Sequence, residues 1–132
     1  KNDFDIVNQY QRKQVFAIDA VLTNHIQADQ QRAHEIWLFV HHFGNHAFLK
    51  AATSTAGELL QMTGDLNPYP LGPVGVIAEG AYADILLVDG NPLEDASVLG
   101  ANELWYDAPP REGVDGIDLI MKDGVIFKNT LE

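Results

Sequence analysis

Val74-Gly75-Val76-Ile77-Ala78-Glu79-Gly80-Ala81-Tyr82-Ala83-Asp84-Ile85-Leu86-Leu87-Val88-Asp89-Gly90-Asn91-Pro92-Leu93-Glu94-Asp95 is the stretch whose reading decides the fold. Its centre, Ile85 to Val88, is an unbroken apolar run of strand length. That is the pattern of a strand covered on both faces. Asp89-Gly90-Asn91-Pro92 then supplies a turn, because glycine and proline punctuate regular structure. The glycines before the run, Gly72, Gly75 and Gly80, read as turn residues. They do not form a phosphate-cradling loop, since no Gly-Lys-Ser/Thr follows them.

Downstream, Ile117 to Met121, the turn Lys122-Asp123-Gly124, and Val125 to Phe127 predict a hairpin. Asp-Gly supports the positive-φ geometry of tight hairpin turns. Residues 101 to 116, with Pro109-Pro110, read as a loop. Three or four strands emerge in all, too few for a stable independent sheet unless something covers them. The sheet is expected to be completed by other chain segments or by another copy of the molecule.

Upstream, composition changes near residue 64 from Gln, His and Ala with helical spacing to Gly, Pro, Asp and β-branched residues. Ile18, Leu22 and Ile26 share one face of a helical period, and Ala33, Ile36, Trp37, Val40 and Phe43 continue it up to Gly44. Glycine is favoured just past a helix end. Asn45 is placed to cap the next helix, where Leu49, Ala52, Ala56, Leu59 and Leu60 recur at spacings of three and four. Ser54 and Thr55 mark a break and a fresh N-cap, as one kinked helix or two short ones. The resulting division is a helical segment, 1–64, and a β-rich segment, 65–132.

The chain has 132 residues, with 8 Lys and Arg against 19 Asp and Glu, a net charge of −11, and no cysteine. The charge argues against nucleic acid and anionic membrane surfaces as partners. The missing cysteine removes disulfides and thiolate metal sites, and is compatible with cytoplasm or periplasm. No apolar run approaches the roughly 20 residues that span a bilayer. The start, Lys1-Asn2-Asp3-Phe4, has neither an initiator Met nor a signal-like apolar region, and reads as the middle of a longer chain.

Five histidines, His25, His34, His41, His42 and His46, invite a metal reading. Zinc needs three or four converging ligands, His-Glu-x-x-His is absent, and Gly44-Asn45 interrupts the helix between His42 and His46. His41 and His42 project about 100° apart on a helix. They read as helix-surface and helix-end residues. Ser54 and Ser97 lie outside any Gly-x-Ser-x-Gly elbow, so Ser54 reads as a cap and Ser97 as a surface hydroxyl. Asp84, Asp89, Asp118 and Asp123 sit at a strand flank, at turns, or alternate outward, which does not make a catalytic pair. The sequence thus offers no catalytic, cofactor-binding or metal-ligating residue.

Three segments carry a family resemblance: Leu49 to Leu60 (Leu-Lys-Ala-Ala-Thr-Ser-Thr-Ala-Gly-Glu-Leu-Leu), Val74 to Asp95, and Ile120 to Asn129 (Ile-Met-Lys-Asp-Gly-Val-Ile-Phe-Lys-Asn). In this order and spacing they resemble the C-terminal end of the amidohydrolase superfamily, nearest its imidazolonepropionase-like and Xaa-Pro dipeptidase-like members. Asn67-Pro68-Tyr69-Pro70 fits the same subgroup. The resemblance extends over residues 33 to 132 and is faint before them. It implies an α/β chain in which helices from the end of a TIM-like barrel precede a small, partial β-sandwich sheet. Ala52-Thr53 would lie on a helix against the barrel, and Ala83-Asp84 on the strand that seats the sandwich.

The resemblance also implies a parent enzyme, a metal-dependent hydrolase of amide or cyclic C–N bonds or of dipeptides. It would carry zinc or a similar divalent metal and act on a small-molecule substrate. The family's ligands are a His-x-His, later histidines, a carboxylated Lys in some members, and an Asp after the eighth strand. None maps onto this sequence, where Asp3, Asp5 and Asp19 lack the expected setting. The segment would therefore be scaffold, partnered by the rest of the parent chain and by further copies in a homo-oligomer. The rival reading is a free-standing, non-catalytic binding or oligomerising domain derived from that fold.

Overall fold

The computed structural model describes residues 3–10, 12–18, 25–104 and 114–131. Four helices come first: α1 (Asp3–Tyr10), α2 (His25–Phe43), α3 (Asn45–Ala52) and α4 (Ser54–Gln61). A 3-10 turn at Gly64–Leu66 follows them, and a second forms at Ala96–Leu99. Three strands follow, β1 (Ile85–Val88), β2 (Ile117–Lys122) and β3 (Val125–Asn129), forming an antiparallel sheet in the order β1-β2-β3. Mixed helix and sheet agree with the α/β expectation.

The boundary between α2 and α3 falls at Gly44, whose φ of 85° few other residues adopt without cost. The Gly44 amide still donates to the Val40 carbonyl at 2.8 Å, closing the last turn of α2. Gly44 is also the N-cap of α3, with no side-chain capping bond. Asn45 therefore does not cap; its Nδ2 donates 2.9 Å to the Leu93 carbonyl, across the molecule. The second break falls at Thr53, between two short helices. Thr53 Oγ1 donates 2.6 Å to the Leu49 carbonyl one turn back, the local bond by which Thr competes with helix continuation. The cap predicted at Ser54 is thus a residue early: Thr53 holds that position, without a side-chain bond to the helix.

The core lies where α2 and α3 meet the segment after β1. Ile36, Phe48 and Ala96 are buried together, flanked by Phe16, Phe39, Val40, Leu49, Leu99 and Ala101. Phe16 enters edge-on against Phe48 and Phe39, with ring centroids at 5.0 and 5.9 Å. Its amide donates 3.0 Å to the Ala51 carbonyl. Residues 12–18 are thus an extended strap over α2 and α3, and Ile18 does not belong to a helix. The partly buried Phe16 ring, packed on Phe39 and Phe48, favours this placement. Leu22 lies outside the described residues. The Asn102 amide reaches the Ala33 carbonyl at 2.9 Å, binding the 96–102 segment to α2.

The hairpin forms where expected. Asp123 and Gly124 take φ values of 51° and 77° between β2 and β3, as a type I′ turn requires. Burial of β1 departs from expectation: Leu86 and Leu87 are 50% and 44% exposed. The sheet also leaves Val125, Ile126 and Phe127 facing solvent. Three strands leave both outer edges unpaired among the described residues, and nothing here covers the second face of the apolar run.

Candidate functional site

Two features stand out: an ionic cluster at the base of the sheet, and an apolar cleft between helices and sheet. The cluster is built by the β2–β3 turn folding back on the residue before β1. The Asp84 carboxylate accepts the Asp123 backbone N–H at 2.7 Å and the Lys122 ammonium at 3.0 and 3.2 Å. The Gly124 amide donates to the Ala83 carbonyl at 3.1 Å, extending the closure. The Asp123 N–H, and then the Lys122 contact, hold the Asp84 carboxyl below its ordinary range. Asp84 conversely raises the Lys122 ammonium.

Lys122 Nζ also lies 4.7 Å from the centroid of the Tyr69 ring, a cation–π position. Tyr69 meets Tyr82 edge-on at 5.2 Å. Tyr82 in turn donates its amide to the Pro73 carbonyl at 3.0 Å. The loop from Asn67 to Tyr82 is therefore fastened to the hairpin. Asp84 has its acceptors engaged and no partner carboxylate, so it serves as an ionised clasp and not as an acid or base.

The cleft has a volume of about 680 Å³ and runs between α2–α4, the 74–77 segment and the sheet. Ile36, Phe48, Leu60, Val74, Ile85 and Val88 contribute to its walls. Arg32 and Asp84 are the charged residues on it. Arg32 pairs with Asp29 at 3.0 Å through Nη2, while its buried Nε has no hydrogen-bond partner among the described residues. The volume suits a small molecule, and the polar side chains on the lining are Arg32, Thr53, Tyr69 and Asp84, with the Thr53 hydroxyl donating to the Leu49 carbonyl. The cleft is otherwise an apolar surface suited to packing.

One wall is held by close backbone contact. A Cβ on Gly57 of α4 would meet the Val74 carbonyl oxygen at 2.1 Å, and one on Gly75 would meet the Thr53 carbonyl oxygen at 2.3 Å. Composition does not mark Gly57 as a packing position, although it lies within the Leu49–Leu60 segment whose resemblance placed Ala52-Thr53 on a packing helix.

The histidines do not converge. His34 Nδ1 lies 2.9 Å from the Glu103 carbonyl, so that nitrogen carries the proton. His34 and His41 stack on Trp37, at centroid distances of 5.6 and 5.0 Å. His42 lies edge-on to His41 at 5.1 Å, and His46 is exposed on α3. His25 opens α2. Among the described residues no group of three or more His, Cys, Asp or Glu could hold a metal ion. Ser97 is a surface hydroxyl, as read, and donates 2.8 Å to Asp95, which also accepts the Ser97 amide at 2.8 Å.

No family model matches the chain, and no curated protein does. Solved structures do. An amidohydrolase crystal structure superposes with a TM-score of 0.71 at 27% identity, over 98% of this chain and 26% of its own. A prolidase solved with N-methylphosphonate-L-proline gives 0.68 at 28% identity, over 96% of this chain and 26% of its own. The chain thus spans about a quarter of the length of the structures it matches. These likenesses agree with the resemblance carried by Leu49–Leu60, Val74–Asp95 and Ile120–Asn129: the chain is similar to a segment of amidohydrolase-superfamily structures, consistent with a C-terminal one.

Proposed function

We propose that this chain is the C-terminal scaffold portion of a metal-dependent amidohydrolase acting on amide or cyclic C–N bonds. Residues 1–64 are then the closing helices of a TIM-like barrel domain, and residues 65–132 the C-terminal half of a β-sandwich domain. One observation carries the reading: nearly the whole chain superposes on only a quarter of an amidohydrolase and of a prolidase. The apolar cleft and the uncovered face of β1 support it, because contiguous apolar surface of this kind marks an interaction face.

The remainder of the parent chain is the partner that fits this surface, with assembly into homo-oligomers following at the level of the whole enzyme. The substrate class is a small amide or dipeptide; the prolidase's bound phosphonate favours an acyl-proline type. The divalent metal of such an enzyme finds no ligand set among the described residues, so no catalytic step is assigned to them. Their part is to complete the fold around a centre built elsewhere.

The test is the native polypeptide itself. Intact mass and elemental analysis of the purified protein, with hydrolysis of acyl-proline substrates before and after chelation, should show a chain several times longer, a bound divalent metal, and activity that chelation removes. A native chain of this length with no stoichiometric metal and no hydrolysis would overturn the reading in favour of a free-standing domain.

A further inference from the structure

The sequence contains Asp-Gly three times, at 89–90, 115–116 and 123–124. Among aspartyl dipeptides Asp-Gly is the most open to internal attack on its own side chain, because glycine places no side chain in the path of the reaction. The glycine amide nitrogen attacks the aspartyl Cγ, and the N–Cγ bond forms as a C–O bond breaks. One water leaves and a five-membered succinimide remains. Water then opens the ring at either carbonyl, giving aspartate again or isoaspartate, with no oxidant, reductant or other reactant. The reaction needs a glycine amide free of an acceptor, a carboxyl free of partners, and room for the backbone to rotate.

The three pairs differ in the glycine amide, which among the described residues is engaged at 123–124 alone, and in the room left for the backbone; none of the three carboxylates has a hydrogen-bond partner there. At 123–124 the Gly124 amide already donates to Ala83, the Asp123 amide is bound to Asp84, and Asp123 is fixed in the left-handed turn conformation. At 115–116 the turn is closed by the Ile117 amide on the Val114 carbonyl at 3.2 Å. Gly116 is also pressed against backbone, since a Cβ there would lie 2.6 Å from the Val98 carbonyl oxygen. At 89–90 both residues are exposed, no bond engages the Gly90 amide or the Asp89 carboxylate among the described residues, and the near contact of Gly90 is only the tip of the Val98 side chain.

We propose that Asp89–Gly90 is a modification site of this protein, the one of its three Asp-Gly pairs at which the fold permits succinimide and isoaspartate to form. The consequence is structural. The Asp89 amide donates 2.8 Å to the Gly116 carbonyl, closing the end of the β1–β2 ladder. Isoaspartate routes the backbone through the side-chain methylene just beyond that bond, lengthening the chain where β1 ends. Modification therefore loosens the ladder from this end.

The experiment ages the full native polypeptide at neutral pH and physiological temperature, then maps isoaspartate by proteolysis and electron-transfer fragmentation. Unfolded synthetic peptides spanning each pair serve as the reference for chemistry without the fold. In the peptides the three pairs should react at similar rates. In the protein, position 89 should accumulate isoaspartate several-fold faster than 115 or 123, and Asp89→Glu, which cannot close the five-membered ring, should remove that signal and leave the other two unchanged. Equal or faster modification at 115 or 123, or none at 89, overturns the proposal.

Discussion

Gly57→Ala sets two effects of opposite sign against each other. Gly57 lies inside α4 without a positive φ, so by helix propensity alone alanine should stabilise by about 1 kcal/mol. The added methyl, however, would lie 2.1 Å from the Val74 carbonyl oxygen. Non-bonded heavy atoms prefer about 3.5–4.0 Å, so α4 and the 74–77 segment would have to part by more than ~1 Å. The Val74 oxygen is backbone and the position of a Cβ is fixed by its own backbone, so no rotamer change relieves the conflict. Overpacking of this kind costs typically about 1–3 kcal/mol, at times more. The clash wins, and the net expectation is a loss of roughly 1–2 kcal/mol after the propensity gain. Urea unfolding read by circular dichroism should show the midpoint falling by about half a molar to one molar, with an unchanged slope. Gly80→Ala is the matched control: φ is +79° with nothing within 4 Å of the new methyl, so it reports left-handed strain alone, about 1 kcal/mol. A Gly57→Ala variant more stable than the wild type would refute the contact between α4 and Val74.

Phe48→Ala removes the ring that Phe16 and Phe39 pack against and should cost about 3–5 kcal/mol in the same unfolding experiment, with Phe16 losing its anchor. Asp84→Ala deletes a backbone hydrogen bond and an exposed ion pair together and should cost about 1–2 kcal/mol, whereas Asp84→Asn, which keeps an acceptor for the Asp123 amide, should cost less. Because the Asp84 carboxyl is lowered in the fold, its stabilisation is complete above the ordinary aspartate pKa and is lost as pH falls through the lower folded value; stability measured across that acidic window should be flatter in Asp84→Asn than in the wild type. Asn45→Ala should cost about 0.5–1.5 kcal/mol through the Leu93 carbonyl, and a helix-capping loss without exposure of the 91–95 turn to hydrogen exchange would contradict the observed bond.

Local chemistry carried the parts of the fold that were legible in the sequence. Asp123-Gly124 announces its own turn, because positive φ at two successive positions is a property of those residues and needs no partner. Gly44 ends α2 for the same reason. What failed depended on distant residues. The period through Ile18 was coincidental, since Phe16 draws residues 12–18 into a strap over α3 that no spacing rule contains. Asn45 had the right composition for a cap, but Leu93 competed for its amide. The Ile85–Val88 run showed where β1 lies, but its expected burial on both faces is not met among the described residues, where Leu86 and Leu87 stay half exposed. For the candidate site, Ser97 lies on the surface as its setting implied, while the Asp84 clasp arises from a contact between residues 39 positions apart that no local pattern announces.

The paired contacts at Gly57 and Gly75 also decide where this chain can change in length. Val74 and Gly75 meet the α3–α4 junction backbone to backbone, in a register set by individual atoms. Residues 61–66 and 68, by contrast, run over the surface, their ends held on one side by α4 and on the other by the Tyr82 tether. Insertions or deletions there cost only the slow logarithmic entropy of a longer or shorter loop. A single residue added between Pro73 and Val76 would slide both glycines off their seats at once. Natural variants of this chain should therefore differ in length before Tyr69 and keep it fixed from Gly72 to Ile77, a boundary drawn by two missing methyl groups.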